Sequence, residues 1–361
     1  MMLNSNTNTP DIIDRGASVK FLLSPIAPYL EDHEITEICV NRPDEVWCER
    51  ANQWERHHVS ELDAERLSSI ATAVARFSAN DISDVRPMLS AVLPKGERIQ
   101  IVIPPACEHG TISMTIRKPS FATRSLEDYA QGPFFAHVQA NHGGMTPTQR
   151  EGLPPDAREL LSLMAKQDYV TFFRRAIQQN KVIVVAGETG SGKTTFMKAL
   201  MQEIPKEQRL ITIEDVPELF LPNHPNHVHL FYPSEAKEEE NARVTAASLL
   251  RSCLRMKPSR ILLAELRGGE TFDFINIAAS GHGGSITSCH AGSAELAFER
   301  LALMVLQNRQ GRTLPYTVIR RLLHMLIDIV VHIHNDAYSG KSRYMTEVWY
   351  APHVKQGGLD G

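Results

Sequence analysis

The chain has 361 residues, 42% of them apolar and 22% charged, with a formal net charge of −4; this is the make-up of a globular protein of about two domains. An acidic balance with only 7% aromatic residues argues against a surface coated for duplex or single-stranded nucleic acid. Five scattered cysteines without a C-x-x-C pair favour a reduced compartment over a disulfide framework, and no stretch reaches the roughly 20 apolar residues of a membrane span.

Met1 to Ala17 is polar, shows no signal-peptide pattern, and reads as disordered. Val19 to Leu30 reads as a short helix cut by Pro25 and Pro28. Ile35 to Val40 and Glu45 to Glu49 read as strands around the turn Asn41-Arg42-Pro43-Asp44, with Trp54 ending a third. Asp63 caps an amphipathic helix to Phe77 that places Leu67, Ile70, Val74 and Phe77 on one face. Met88 to Pro94, Glu97 to Ile103 and Gly110 to Arg117 read as further strands, the last two alternating and paired. Residues 18–130 thus form an α+β domain with a mainly antiparallel sheet. Arg98 and Arg117 stand out on it: spacing favours a solvated strand face, and the competing reading is a pair of arginines that reach a nucleotide phosphate.

Residues 131–155 are rich in Gly and Pro and read as a linker. Residues 156–361 form the second domain. Asp156 to Gln178 is helical with a break near Asp168, and Val182 to Ala186 is a short apolar run that reads as a strand buried on both faces. Gly187-Glu188-Thr189-Gly190-Ser191-Gly192-Lys193-Thr194 then fits G-x-x-x-x-G-K-[ST] at every fixed position, and a helical pattern starts at Thr195. The glycines let successive N–H groups face one concavity at a helix N-terminus. Lys193 supplies a compact charge for the β- and γ-phosphates and Thr194 a hydroxyl for Mg²⁺.

From there strands and helices alternate, which predicts a largely parallel sheet covered by helices, with ligands at the carboxyl ends of its strands. Leu210 to Ile213 ends in Glu214-Asp215-Val216-Pro217-Glu218, three carboxylates within five residues that can organise Mg²⁺ and its waters. Val228 to Phe231 is a further run, and Glu235 to Glu240 reads as a solvated charged turn. Arg260 to Glu265 ends in an acid suited to orient or deprotonate an attacking water, while Ala264 stands where a metal-holding Asp is expected. Gly281 to Gly292 carries four glycines around His282 and His290, and His290 is placed to sense a γ-phosphate. Cys289 is no nucleophile beside it, because adjacent strand residues face opposite ways. His224, His227 and His229 match no zinc spacing.

Four boxes in this order, Gly187 to Thr194, Ile213 to Glu218, Ile261 to Gly268 and Gly281 to Gly292, resemble the hexameric traffic ATPases of type IV secretion and conjugation systems, within the wider secretion ATPase group. Leu93-Pro-Lys-Gly-Glu-Arg-Ile-Gln100 and Ile116-Arg-Lys-Pro-Ser120 point to the type IV branch, and the resemblance spans about residues 18–350. It implies an α+β N-terminal domain followed by a RecA-like P-loop domain, arranged as a homohexameric ring with nucleotide between the two domains of a subunit. It reverses the odds on Arg98 and Arg117, which then face the phosphates. It implies Mg-dependent hydrolysis of ATP, with Lys193, Glu265 and His290 catalytic and residues 187–195, Thr195 included, around the nucleotide. It implies a cytoplasmic protein peripheral to the inner membrane, with inner-membrane channel components and other ATPases as partners and no sequence-specific nucleic-acid binding. A single-strand DNA translocase, a non-hydrolysing nucleotide-binding scaffold and a small-molecule kinase are the readings of other classes.

Overall fold

In the computed structural model the chain separates into two units, residues 1–119 and 120–361. Residues 14–50, 53–119, 123–233, 244–336 and 343–356 are described. Most of the expected tail Met1 to Ala17, and the charged turn Glu235 to Glu240, lie outside them.

The first unit opens with α1 (Ala17–Leu22) and α2 (Ala27–Glu31), separated by a 3-10 turn at Ser24–Ile26 where Pro25 and Pro28 interrupt the helical pattern. Strands β1 (Ile35–Val40), β2 (Glu45–Arg50) and β3 (Gln53–His58) follow, then α3 (Ala64–Phe77), β4 (Met88–Val92), β5 (Arg98–Val102) and β6 (Ser113–Arg117). Trp54 lies near the start of β3 rather than its end. The sheet has the order β3-β2-β1-β6-β5-β4 and is antiparallel throughout. The Asp63 carboxylate accepts from the Arg66 N–H at 2.8 Å and caps α3, whose Leu67, Ile70 and Val74 are buried. In the β5–β6 register Arg98 stands directly opposite Arg117.

The second unit contains α4 (Leu126–Ala130), β7 (Gln139–Asn141), α5 (Pro147–Glu151), α6 (Pro155–Ala165), α7 (Tyr169–Gln178), β8 (Ile183–Gly187) and α8 (Lys193–Gln202). It continues with β9 (Leu210–Glu214), β10 (His227–Phe231), α9 (Ala246–Cys253), β11 (Arg260–Leu266), α10 (Glu270–Ala279) and β12 (Ile286–Cys289). It closes with α11 (Ala294–Gln307), α12 (Tyr316–Leu326), β13 (Ile329–His334) and β14 (Tyr344–Tyr350). The sheet order is β10-β9-β11-β12-β8-β13-β14-β7. Pairing is parallel from β10 to β13, antiparallel between β13 and β14, and parallel between β14 and β7.

Strand β8 is buried at all five positions. Ile183 and Val185 pack with Phe172, Phe173, Phe196 and Leu200 on one face, Val184 and Ala186 with Phe274, Phe298 and Leu301 on the other. Each fully buried side chain of this size contributes about 1.5–3 kcal/mol, so the strand that delivers residue 187 is held from both sides. The phosphate loop therefore leaves the middle of the sheet from a rigid platform.

The stretch 131–155 differs from the expected linker. Phe134 and Leu153 are buried in the core of the second unit, Phe134 lies 4.3 Å from Tyr129 and 5.5 Å from Phe196 between ring centroids, and β7 pairs with β14. Gly and Pro report turns but not whether the residues between them dock, and here a few apolar anchors suffice. The division of the chain accordingly falls at Pro119/Ser120 rather than near residue 130.

Candidate nucleotide site

The loop between β8 and α8 is shaped by its glycines. A Cβ on Gly187 would lie 2.4 Å from the Ile333 carbonyl oxygen and 2.5 Å from Ser191 Oγ, so no larger residue fits there. Gly192 caps α8 with φ +92°, in the region that only glycine adopts cheaply. Lys193 is 8% exposed; its ammonium donates to the carbonyls of Gly187 at 3.0 Å and Glu188 at 2.8 Å and lies 3.4 Å from His290 Nδ1. The Ser191 hydroxyl is buried with no hydrogen-bond partner among the described residues. Glu188 and Thr189 are exposed, while Gly190, Thr194 and Thr195 are half-buried. A buried orphan hydroxyl, a lysine and the free N–H groups of a helix start fit a phosphate, and Thr194 in the first turn of α8 fits the hydroxyl ligand of a phosphate-bound Mg²⁺.

Three other strand ends converge on this lysine. Glu265, near the end of β11, has Oε1 2.9 Å from His290 Nε2, just past β12. Its Oε2 accepts from Arg267 Nε at 2.6 Å, and Arg267 Nη1 reaches Asp215, just past β9. Lys193, His290, Glu265, Arg267 and Asp215 thus form one connected line through all four boxes. Burial pushes the Glu265 carboxyl up, but His290 and Arg267 outweigh it and bring it from 4.5 to about 2. Burial works against the Arg267 guanidinium, yet Glu265 and Asp215 raise its pKa above the usual value. Both partners stay charged at neutral pH. Cys289, fully buried, has its thiol pushed up to about 12 by burial, which removes it as a nucleophile.

Within the acidic box the residues divide. Glu214 is fully buried; Oε2 accepts from the Glu218 and Leu219 N–H groups at 2.8 and 2.7 Å, and Oε1 from Thr212 Oγ1 at 2.6 Å. That geometry sets the path of the loop, and the expected metal role finds no support in it for Glu214. Asp215 joins the Glu265 line through Arg267, and Glu218 is half-buried beside the turn that Glu214 holds. Among the described residues no group of three or more His, Cys, Asp or Glu is arranged to hold a metal ion. Arg98 and Arg117 belong to the first unit, where they face each other across two strands, with Glu37 opposite Arg117 on β1.

Three residues around the loop escaped the motif reading. Nothing in the spacing shows that Arg267 bridges two acids. Asn335 approaches Gly190 and Arg343 approaches Gly192, with Asn335 Nδ2 at 3.9 Å and Arg343 Cδ at 3.3 Å from the positions a Cβ would take. The signal for Asn335 was available: β13 runs parallel to β8, so its carboxyl end opens on the same edge of the sheet as the phosphate loop.

The family described as type II/IV secretion system protein matches residues 155–343. The chain belongs to that family. The resemblance carried by the four boxes is borne out along nearly the whole length. The type IV secretion system protein VirB11 of Brucella abortus is 68% identical over 99% of this chain and 97% of its own. The type IV secretion system protein PtlH of Bordetella pertussis is 46% identical over 93% of this chain and 96% of its own. Among solved structures, the VirB11 ATPase of the Brucella suis type IV secretion system, in complex with sulphate, matches with a TM-score of 0.53 at 67% identity, covering 94% of this chain and 99% of that one. The pilus retraction motor PilT with bound ADP matches with a TM-score of 0.53 at 15% identity, covering 94% of this chain and 86% of that one, a likeness of fold alone.

Proposed function

We propose that this chain is the ATP-hydrolysing motor of a type IV secretion system, working as a six-membered ring. The observation that carries the reading is the unbroken line from Lys193 of the phosphate loop through His290, Glu265 and Arg267 to Asp215. Chance proximity of a glycine-rich turn to an acidic strand end does not join all four boxes. The relatives named as type IV secretion system proteins, at 68% and 46% identity over nearly full length, support the cellular role. Among the described residues no helix is long and apolar enough to cross a membrane. The place proposed for the chain is peripheral, on the cytoplasmic face of the inner membrane beside channel components and other ATPases.

The residues divide the work as follows. The N–H groups of residues 187–195 and the Lys193 ammonium bind the β- and γ-phosphates of ATP. Thr194, with water, would hold Mg²⁺, which supplies charge neutralisation on those oxygens. Asp215 keeps Arg267 in place, and Arg267 keeps Glu265 aimed. With a carboxyl at about 2, Glu265 is a weak base; it orients the attacking water, which suffices for a loose phosphoryl-transfer transition state. His290, in contact with both Glu265 and Lys193, reports loss of the γ-phosphate to the rest of the domain. For Arg98 and Arg117, the family resemblance alone supports a part in neutralising charge on the transferring group.

The test is phosphate release and ATP binding on the same samples. Lys193→Ala is expected to lose both. Glu265→Gln is expected to bind ATP and to release phosphate about 10²-fold or more slowly. Wild-type hydrolysis in Glu265→Gln would remove that residue from the reaction, and phosphate appearing on a small molecule instead of in solution would replace the motor by a kinase.

A further inference from the structure

Strand β7 is an unexpected member of the sheet. It has three residues, sits at the edge, and comes from the stretch that composition marks as a linker. Its pairing to β14 puts Gln139 opposite Glu347 and Asn141 opposite Trp349. The Asn141 side chain then does two things. Its Oδ1 accepts from the Gly143 N–H at 3.0 Å, which turns its amide nitrogen toward Glu347, and that nitrogen donates to Glu347 Oε1 at 2.9 Å.

The other oxygen of Glu347 leads to the reaction centre. Oε2 accepts from the Ala294 N–H at 2.9 Å, the first residue of α11. Only residues 290–293 separate that N–H from the end of β12, and the first of them is His290, which touches Glu265 at 2.9 Å and Lys193 at 3.4 Å. A carboxylate at the N-terminus of a 14-residue helix is favoured by the dipole as well as by the N–H. It pins one end of a short loop whose other end is fixed by the sheet.

Resting on the reading of the chain as an ATPase, we propose that Glu347 is a positioning residue: it ties Asn141 of β7 to the first N–H of α11 and thereby sets His290 against Glu265 and Lys193. It touches neither ATP nor the reacting atoms. Its two oxygens make β7, and the segment that carries it, part of the device that orders the site. Freeing β7 from the edge loosens His290; docking β7 locks it.

The polarity of the contact supplies the experiment. Glu347→Gln turns an amide nitrogen toward the Asn141 amide, and Asn141→Asp turns a carboxylate toward Glu347; each single change breaks the tie. Together they rebuild it with donor and acceptor exchanged. The new amide at position 347 then donates to a carboxylate at position 141 that still accepts from Gly143, and the amide oxygen still faces Ala294. Each single variant is expected to lose about tenfold in kcat for ATP hydrolysis with KM for ATP unchanged, and the double variant to recover. In nucleotide-free protein, amide exchange of the peptide covering residues 290–298 is expected to quicken in the singles and slow again in the double. Unchanged kcat and exchange in the singles, a loss the double does not restore, or a loss confined to KM would overturn the proposal. Wild-type protein with no turnover would strike at the ATPase reading instead, while the exchange data would still judge the tie.

Discussion

Arg267 is the residue on which the site's electrostatics turn. It lies between Glu265 and Asp215 and bridges the two. Removing it leaves two carboxylates without their shared cation, so Arg267→Ala is expected to lower stability by about 3 kcal/mol, measured by urea unfolding. Arg267→Lys is expected to recover part of that but not the hydrolysis rate, because an ammonium cannot fork between two acids. The pH dependence has a defined sign. The Glu265 carboxyl falls from 4.5 to about 2 on folding, so its contribution to stability is complete above pH 4.5 and is lost as pH falls toward 2. In Arg267→Ala the carboxyl moves upward, and the acid limb of any remaining activity shifts to higher pH with it. The phosphate loop and Glu265 were legible from spacing because their chemistry needs residue types at fixed intervals. Arg267, Asn335 and Arg343 were not, since their roles depend on which strand ends the fold brings together.

At the scale of elements, the strands around the phosphate loop are fixed at both of their ends. At the end remote from the loop, Arg260 begins β11 and is fully buried, with no carboxylate partner among the described residues. Its guanidinium donates to Gln208 Oε1 at 2.6 Å, to the Ile177 carbonyl at the end of α7 at 2.6 Å, and to the Gly284 carbonyl at 3.4 Å. Gly284 has φ +75°, and a Cβ there would lie 2.8 Å from Arg260 Nη1. Arg260→Met strands these acceptors away from water and is expected to cost about 3 kcal/mol, read as a lower urea midpoint; an unchanged midpoint would show that water replaces the arginine. The buried runs of β8, β9 and β11 and the helices between them were plain in the sequence because the alternation of apolar runs with helical spacing is unambiguous. Strands β13, β14 and β7 were not. The boundary between α12 and β13 falls at Ile327 and Asp328 inside a mostly apolar stretch that His324, Asp328 and His332 interrupt, and β7 is too short to carry a period.

For the whole molecule, the proposed ring rests on family membership. A ring makes hydrolysis depend on assembly, and that dependence separates a motor from a free-standing nucleotide enzyme. The decisive measurement is molar mass by light scattering with and without a Mg–ATP analogue, on wild type and Lys193→Ala, with phosphate release read from the same fractions. A six-subunit wild-type species that releases phosphate, beside a Lys193→Ala protein that releases none, is the expected result. A monomer that turns over ATP freely would contradict it, removing both the ring and the motor.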